Sequence, residues 1–187
     1  MPSADLDVLR RQAILSSAAG FPFLLVYGLV WIAAGALSYV VSPAVAPWLY
    51  LLGGLPATPI ALAVERRVRY VPAPKPDPLL PLTLQLLFVQ IVAFPAVMIV
   101  WSLAPSYTPV AFASVVGAHF LPFQWLYRTP IYGVLGVVVA LGAYAVGAVS
   151  RHKAIHHTGF FVGAALLVGA FLVRAHAKAV SIDATRS

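Results

Sequence analysis

Apolar residues fill six long stretches of this chain, and polar residues are concentrated in the connections between them. The hydrocarbon core of a bilayer is about 30 Å thick, so a helix needs about twenty apolar residues to cross it. A helix also satisfies its own backbone groups where water is absent. The pattern therefore predicts an all-α fold, a polytopic transmembrane helical bundle. The six predicted spans are residues 18–41, 45–64, 80–103, 107–127, 130–149 and 158–177.

The remaining segments define a simple domain organisation. Residues 1–17 place apolar side chains at helical spacing opposite charged ones, which predicts an N-terminal interfacial helix that runs into the first span. Residues 18–177 are predicted as one transmembrane domain, and residues 178–187 as a cytoplasmic tail. A secretory signal is the alternative for the first apolar run. That run exceeds the roughly 7–15 residues of a signal core, which favours an uncleaved first helix.

The distribution of basic residues predicts the orientation. If the N-terminus is cytoplasmic, ten of the twelve Lys and Arg residues lie on the cytoplasmic side, and Arg151 and Lys153 lie outside. Because cytoplasmic loops carry an excess of Lys and Arg, both termini are predicted inside. Trp and Tyr residues also cluster at both ends of the predicted spans, where their rings favour the membrane interface. We therefore expect a multi-pass protein of the inner, or cytoplasmic, membrane.

Composition supports the membrane assignment and excludes several kinds of site. Hydrophobic residues make up 61% of the chain and charged residues 9%, against roughly 45–50% and 25% in soluble domains. The net charge of +7 comes from basic residues at the ends of apolar runs, so nucleic acid is not an expected partner. No cysteine is present, which excludes disulfides and thiolate ligands. His152 and His156 have the i, i+4 spacing of metal ligands, but Arg151 and Lys153 would repel a cation, and neither a metal site nor a cofactor is expected.

Five polar side chains enter the predicted spans and define the candidate intramembrane site: Tyr27, Gln85, Gln90, His119 and Gln124. No Asp, Glu, Lys or Arg lies near the middle of a span, so the carboxylate usual in cation-coupled carriers is missing. Hydrogen bonds among Gln90, His119 and Tyr27 could hold helices together or line a solute path. His119 is the one side chain near mid-membrane whose charge could change between about pH 5 and 8.

Prolines and glycines predict two different kinds of helix. Prolines are expected to interrupt four successive spans, at Pro22, Pro56, Pro59, Pro95 and Pro122. Each frees a carbonyl inside the membrane, which could line a path or accompany a simple kink. The last two spans instead carry small residues, with Gly159 and Gly163 in GxxxG spacing. Such a face could pack helices within the chain or form a homo-oligomer.

A stretch in the middle of the chain resembles a known family. The resemblance rests on Asp77-Pro78-Leu79, Phe88-Val89-Gln90, Phe94-Pro95 and Gly117-Ala118-His119-Phe120, followed by Pro122 and Tyr127. These motifs are similar to those of small bacterial integral membrane proteins that form a domain family of unknown function. The similarity extends from the first span through the fifth, although Asp77 stands where the family mostly has asparagine. It implies a single-domain membrane protein and no particular activity.

These observations support three hypotheses of function. The first is a small channel or uncoupled carrier for a neutral or weakly polar solute, whose path Gln90, His119 and Gln124 would line. The alternative is a non-transporting structural, accessory or lipid-binding protein. The third is a membrane-embedded enzyme with His119 as acid or base, but that histidine has no evident partner, so no catalytic residue is assigned. The expected partners are membrane lipids and, for the first hypothesis, a small solute.

Overall fold

The computed structural model describes the backbone of residues 3–186 and the side chains of residues 6–86 and 88–184. All regular elements in this part of the chain are helices, which confirms the predicted all-α class. The helices are α1 Ser3–Ser17, α2 Phe21–Leu37, α3 Ala46–Val68, α4 Leu80–Leu103, α5 Thr108–Leu126, α6 Ile131–Ser150 and α7 Ala154–Arg186. Short 3₁₀ turns precede α2, α5 and α7.

Five helical segments are long and apolar enough to cross a membrane: Leu6–Leu37, Ala46–Val68, Leu80–Leu103, Pro105–Leu126 and Ile131–Ala184. The last segment contains both α6 and α7, which are joined by the turn Arg151–Lys153 and pack against each other. The predicted last span, residues 158–177, and most of the predicted tail lie within one helix, because α7 continues to Arg186. Its 33 residues give a length of about 50 Å at 1.5 Å per residue, more than a bilayer core requires.

Four helices, α2, α5, α6 and α7, form the core of the bundle, with α3 packed on α2 and α4 packed on α5. The closest approaches occur at glycines. A Cβ atom at Gly163 of α7 would lie 2.7 Å from the carbonyl oxygen of Gly28 in α2. A Cβ atom at Gly117 of α5 would lie 2.5 Å from the carbonyl oxygen of Gly136 in α6. Small residues therefore bring two pairs of backbones into direct contact, as they do in other membrane helices.

The glycines in GxxxG spacing belong to this internal packing. Gly159 and Gly163 are buried, and a Cβ atom at Gly159 would meet the Cα atom of Gly35 at 2.8 Å. The structure thus uses this face to join α7 to α2 of the same chain. A homo-oligomer through the same glycines would require the face to be open, whereas α2 covers it.

Most of the predicted helix-interrupting prolines lie inside helices. Pro56 and Pro59 are inside α3, Pro95 is inside α4, and Pro122 is inside α5. Pro22 does not interrupt a span, because it lies in the first turn of α2. Its fixed φ suits that position, where no intrahelical N–H donor is needed. The prediction of a kink at Pro22 is therefore wrong.

The real break near the N-terminus lies just before Pro22. Ala18, Ala19 and Gly20 have φ values of 49°, 51° and 76° and are all buried. The left-handed conformation costs an L-residue about 1–2 kcal/mol. The Tyr132 hydroxyl donates a 2.7 Å hydrogen bond to the Ala19 carbonyl, which satisfies a backbone group that the break exposes. Helix α1 is consequently a separate element and does not run continuously into the first span.

The bundle has two chemically different ends. The histidine end consists of residues 38–46, 101–108 and 150–157, and the terminal end consists of residues 3–20, 65–80, 126–132 and 174–186. The histidine end carries two Lys or Arg residues, three histidines and no acidic residue. The terminal end carries the other ten basic residues and all five acidic ones.

Candidate functional site

His119 links α5 to α4. Its Nδ1 atom lies 2.8 Å from the carbonyl oxygen of Leu86. Because a carbonyl can only accept, Nδ1 carries the proton in this bond, and Nε2 is left as an acceptor. The half-buried ring packs near the rings of Phe120 and Phe123, with centroid distances of 6.1 and 5.0 Å. The third and fourth predicted spans therefore touch, through a side chain that the sequence singled out.

The three glutamines do not join His119. Gln90 is half-buried on α4, one turn beyond Leu86, and its side chain makes no hydrogen bond to the described residues. Gln85 and Gln124 are exposed. The Gln124 amide covers Gly133 at the start of α6, where a Cβ atom would overlap its Oε1. These positions do not form one polar cavity.

Tyr27 bonds to a different helix. Its hydroxyl lies 2.7 Å from Thr58 Oγ1 and donates a 3.3 Å bond to the Gly54 carbonyl, both in α3. The hydrogen bonds expected among Gln90, His119 and Tyr27 are therefore not formed. Instead, Tyr27, His119 and Gln124 lie at three separate contacts, between α2 and α3, α4 and α5, and α5 and α6.

The cavity beside Tyr27 is very small. A cavity of about 10 Å³, the lower limit for one water molecule, lies among α2, α3 and α5. It is lined by Tyr27, Val30, Trp31, Ala34, Tyr50, Gly54 and Phe112. Neither this cavity nor the larger one described next is lined by Gln90, His119 or Gln124. Of the candidate polar side chains, Tyr27 alone lines one of these two cavities, and Tyr27 and His119 bond to neighbouring helices.

The larger cavity is an open cleft of about 720 Å³ at the histidine end. It is bounded by the end of α2 and its following loop, the end of α4 with its 3₁₀ turn, and the start of α7. The lining residues are Ser38, Val41, Pro43, Ala44, Ala46, Trp101, Ser102, Pro105, Ser106, His152, Ile155 and His156. This cleft combines apolar surface with hydroxyl and imidazole groups, and the sequence did not predict it.

Two hydrogen bonds of the buried Ser38 fix one wall of the cleft. Ser38 Oγ donates to the Gly35 carbonyl at 2.6 Å and lies 2.7 Å from His156 Nδ1. Since the single hydroxyl proton goes to the carbonyl, His156 Nδ1 must be the donor to Ser38. The imidazole ring also stacks on Tyr39 with a centroid distance of 4.0 Å. These contacts hold the ring and leave Nε2 without a protein partner among the described residues.

Of the other two histidines of this end, His152 also lines the cleft and His157 does not. His157 Nδ1 lies 2.9 Å from Ser150 Oγ, and His152 is exposed on the turn before α7. In the part of the chain that the structure describes, no three His, Asp or Glu side chains come together in a way that could hold a metal ion.

The terminal end docks α1 onto the end of α5. Arg128 lies 3.0 Å from Asp7, and the Arg10 guanidinium lies 3.7 Å from the centre of the Trp125 ring. Both partners of the ion pair are about half exposed, so the pair contributes at most about 1 kcal/mol. This end is a structural junction with a strongly basic surface.

A family model described as a family of unknown function (DUF7010) matches residues 6–176. The chain therefore belongs to this family, which confirms the resemblance seen in the sequence and extends it into the last helix. No curated protein and no solved structure matches the chain.

Proposed function

We propose that this chain, a member of a family of unknown function, is a non-transporting membrane protein. It would act by binding lipid or a membrane partner. The observation that carries the proposal is the closed core, in which backbones meet at Gly28 and Gly163 and at Gly117 and Gly136. Water has no continuous space between helices that approach this closely. A solute path would have to pass elsewhere.

The chemistry of the polar side chains also supports this proposal. His119 uses Nδ1 on the Leu86 carbonyl, and Tyr27 uses its hydroxyl on α3. Interhelical hydrogen bonds of this kind hold membrane helices together, with an average contribution of about 0.6 kcal/mol each. Side chains that serve this role need no access to water, so their presence does not require transport.

The proposal includes the topology that the basic residues predict. Helices α2–α7 would cross the bilayer six times, with the terminal end in the cytoplasm and the histidine end outside. The ten basic residues of the terminal end would then follow the positive-inside rule. In bacteria, this arrangement corresponds to the cytoplasmic membrane.

A channel or uncoupled carrier is the hypothesis that the experiment must separate from this one. Purified protein is reconstituted into liposomes, and the entry of water, glycerol, urea and ammonia is measured against protein-free liposomes and an established channel. The proposal predicts no flux that depends on the protein.

Two variants make the flux measurement specific. His119→Trp would block a path at His119, whereas Tyr144→Trp changes a side chain that is 66% exposed on the outside of α6. Flux that depends on the protein and falls in His119→Trp, but not in Tyr144→Trp, would refute the proposal and establish a path beside His119.

A further inference from the structure

The cleft at the histidine end has the features of a ligand site that is separate from the intramembrane polar residues. Its volume of about 720 Å³ lies within the roughly 300–1,000 Å³ range of ligand pockets. Trp101 and Ile155 supply apolar surface, and His152 and His156 supply nitrogen atoms. The mixture fits a ligand that has both a polar and an apolar part.

The charge of the histidine end indicates which charge the polar part of the ligand carries. Arg151 and Lys153 are both exposed and flank His152. No acidic residue occurs anywhere in residues 38–46, 101–108 or 150–157 to balance them. The uncompensated positive charge therefore favours an anion.

His156 is held in a position to contact that anion. The bond to Ser38 and the stack on Tyr39 fix the ring, so little side-chain entropy remains to be lost on binding. Nδ1 is already a donor to Ser38, which leaves Nε2 for a ligand. Burial, followed by the charges of His157 and Lys153, lowers the pKa of His156, so the ring takes up its second proton together with the anion. Nε2 then donates a charge-assisted hydrogen bond to that anion.

The place of the cleft in the fold indicates the apolar part. The cleft is formed where α2 and α4 end, which is the level at which membrane helices meet the head-group region. Beside the cleft, the rings of Trp101 at the end of α4 and Trp48 at the start of α3 pack together, with centroids 5.0 Å apart. Tryptophan rings are typical of this interfacial level. An anionic ligand that enters the cleft from the bilayer would be a lipid, whose apolar part is its glycerol and acyl chains.

We propose that this cleft binds the phosphate head group of an anionic phospholipid, with His152 and His156 facing the phosphate and Trp101 and Ile155 contacting the adjoining glycerol and acyl carbons. This proposal rests on the lipid-binding part of the proposed function and names the site and the lipid class. The quenching experiment below tests the lipid site, and the flux experiment tests transport, so either can fail without the other.

A local fluorescence measurement tests the proposal without interference from basic residues at the terminal end. Leu103 is 80% exposed, lies next to the cleft residue Ser102, and is not itself a lining residue. Because the chain has no cysteine, Leu103→Cys provides a single site for an NBD fluorophore. The labelled protein is placed in phosphatidylcholine vesicles. Nitroxide-bearing phosphatidylglycerol or phosphatidylcholine, with the nitroxide near the head group, is then added as the quencher.

We expect the phosphatidylglycerol quencher to act at a lower mole fraction than the phosphatidylcholine quencher. His156→Gln should raise its half-quenching mole fraction about tenfold, the size expected when one hydrogen bond to a charged group is lost. His152→Gln, which alters an exposed side chain, should act in the same direction. His157→Gln is the matched control, because its ring bonds Ser150 and does not line the cleft.

Three results would overturn the proposal. Equal quenching by the two lipids would mean that the cleft does not select an anionic head group. Equal effects of His152→Gln, His156→Gln and His157→Gln would mean that the selection does not arise in the cleft. Equal quenching by the two lipids, together with a change in NBD emission on addition of inorganic phosphate but not of sodium chloride at equal ionic strength, would mean that the cleft takes free phosphate and not a lipid.

Discussion

Alanine is expected to change the stability of the protein in opposite directions at two glycines. It should destabilise the protein at Gly163, where α7 packs on α2, and stabilise it at Gly54 in α3. In Gly163→Ala, the new Cβ atom would lie 2.7 Å from the Gly28 oxygen and 2.9 Å from the Ile32 nitrogen. Ordinary van der Waals contact begins near 3.4 Å. The difference between 3.4 and 2.7 Å means that the two helices must separate by about 0.7 Å. The nearest atom, Ile32 Cγ1 at 2.5 Å, belongs to a side chain that can move. The Gly28 oxygen and the Ile32 nitrogen belong to the backbone, so no change of rotamer relieves the overlap with them.

The energetic cost follows from that separation. Overpacking a well-packed site costs about 1–3 kcal/mol, and a radial gap of 0.5–1 Å forfeits a quarter to a half of each dispersion contact across the seam. Replacing glycine by alanine inside a helix returns about 0.5–1 kcal/mol of backbone entropy. We therefore expect Gly163→Ala to lower the free energy of unfolding by about 1–2 kcal/mol.

Gly54→Ala in α3 is the matched control. The nearest atom to a Cβ there is Tyr27 Cε1 at 3.5 Å, which is an ordinary contact. Only the gain in helix propensity remains, so this variant should be more stable by about 0.5–1 kcal/mol. Unfolding of both variants in bicelles, by steric trapping or by titration with dodecyl sulfate, measures the two changes. If Gly163→Ala is as stable as Gly54→Ala, the α2–α7 contact is not as close as described.

Three further predictions concern single side chains, each measured by the same unfolding assay. Tyr132→Phe removes the bond to the buried Ala19 carbonyl and should lower the free energy of unfolding by about 1–3 kcal/mol. Tyr144→Phe, at an exposed position, should change it little. Equal effects would contradict the role of the Tyr132 hydroxyl. Gly20→Ala should destabilise the protein by about 1–2 kcal/mol or more, because Gly20 has φ 76° and a Cβ atom there would overlap the Tyr132 hydroxyl. An unchanged stability would mean that the left-handed turn is absent. His119→Leu should cost only about 0.6 kcal/mol if the bond to Leu86 is an ordinary interhelical contact, and a loss several times larger would indicate a more demanding role.

The helices were predictable because their signal is local. Long apolar runs bounded by prolines and charges fixed the class, and each predicted span contains a helix. The break before α2 was not predictable, since alanine rarely adopts positive φ and nothing near Ala18 or Ala19 in the sequence favours it. The bond that supports the break comes from Tyr132, 113 residues away from Ala19.

The arrangement of the polar side chains was harder to predict than the helices. In an amphipathic helix, the apolar face shows which side is buried, but these helices are apolar all round, so periodicity does not indicate the inward face. The sequence therefore predicts Gln85 and Gln124 at one site with His119, whereas both are exposed in the structure. The cleft at the histidine end was missed because Ser38 and His156 lie 118 residues apart. The signal available for it was the lack of any acidic residue at that end.

Accessibility of cysteines to a membrane-impermeant thiol reagent tests most directly whether the core is closed. The natural chain has no cysteine, so His119→Cys and Gln90→Cys each report on one position. Leu103→Cys and Ala184→Cys serve as exposed controls at opposite ends of the bundle. In folded protein, we expect each of the two control cysteines to be labelled from one side only, and from opposite sides of the membrane. We expect the cysteines at positions 90 and 119 to be labelled from neither side. Labelling at His119→Cys or Gln90→Cys would show that water reaches the bundle and would contradict the non-transporting account.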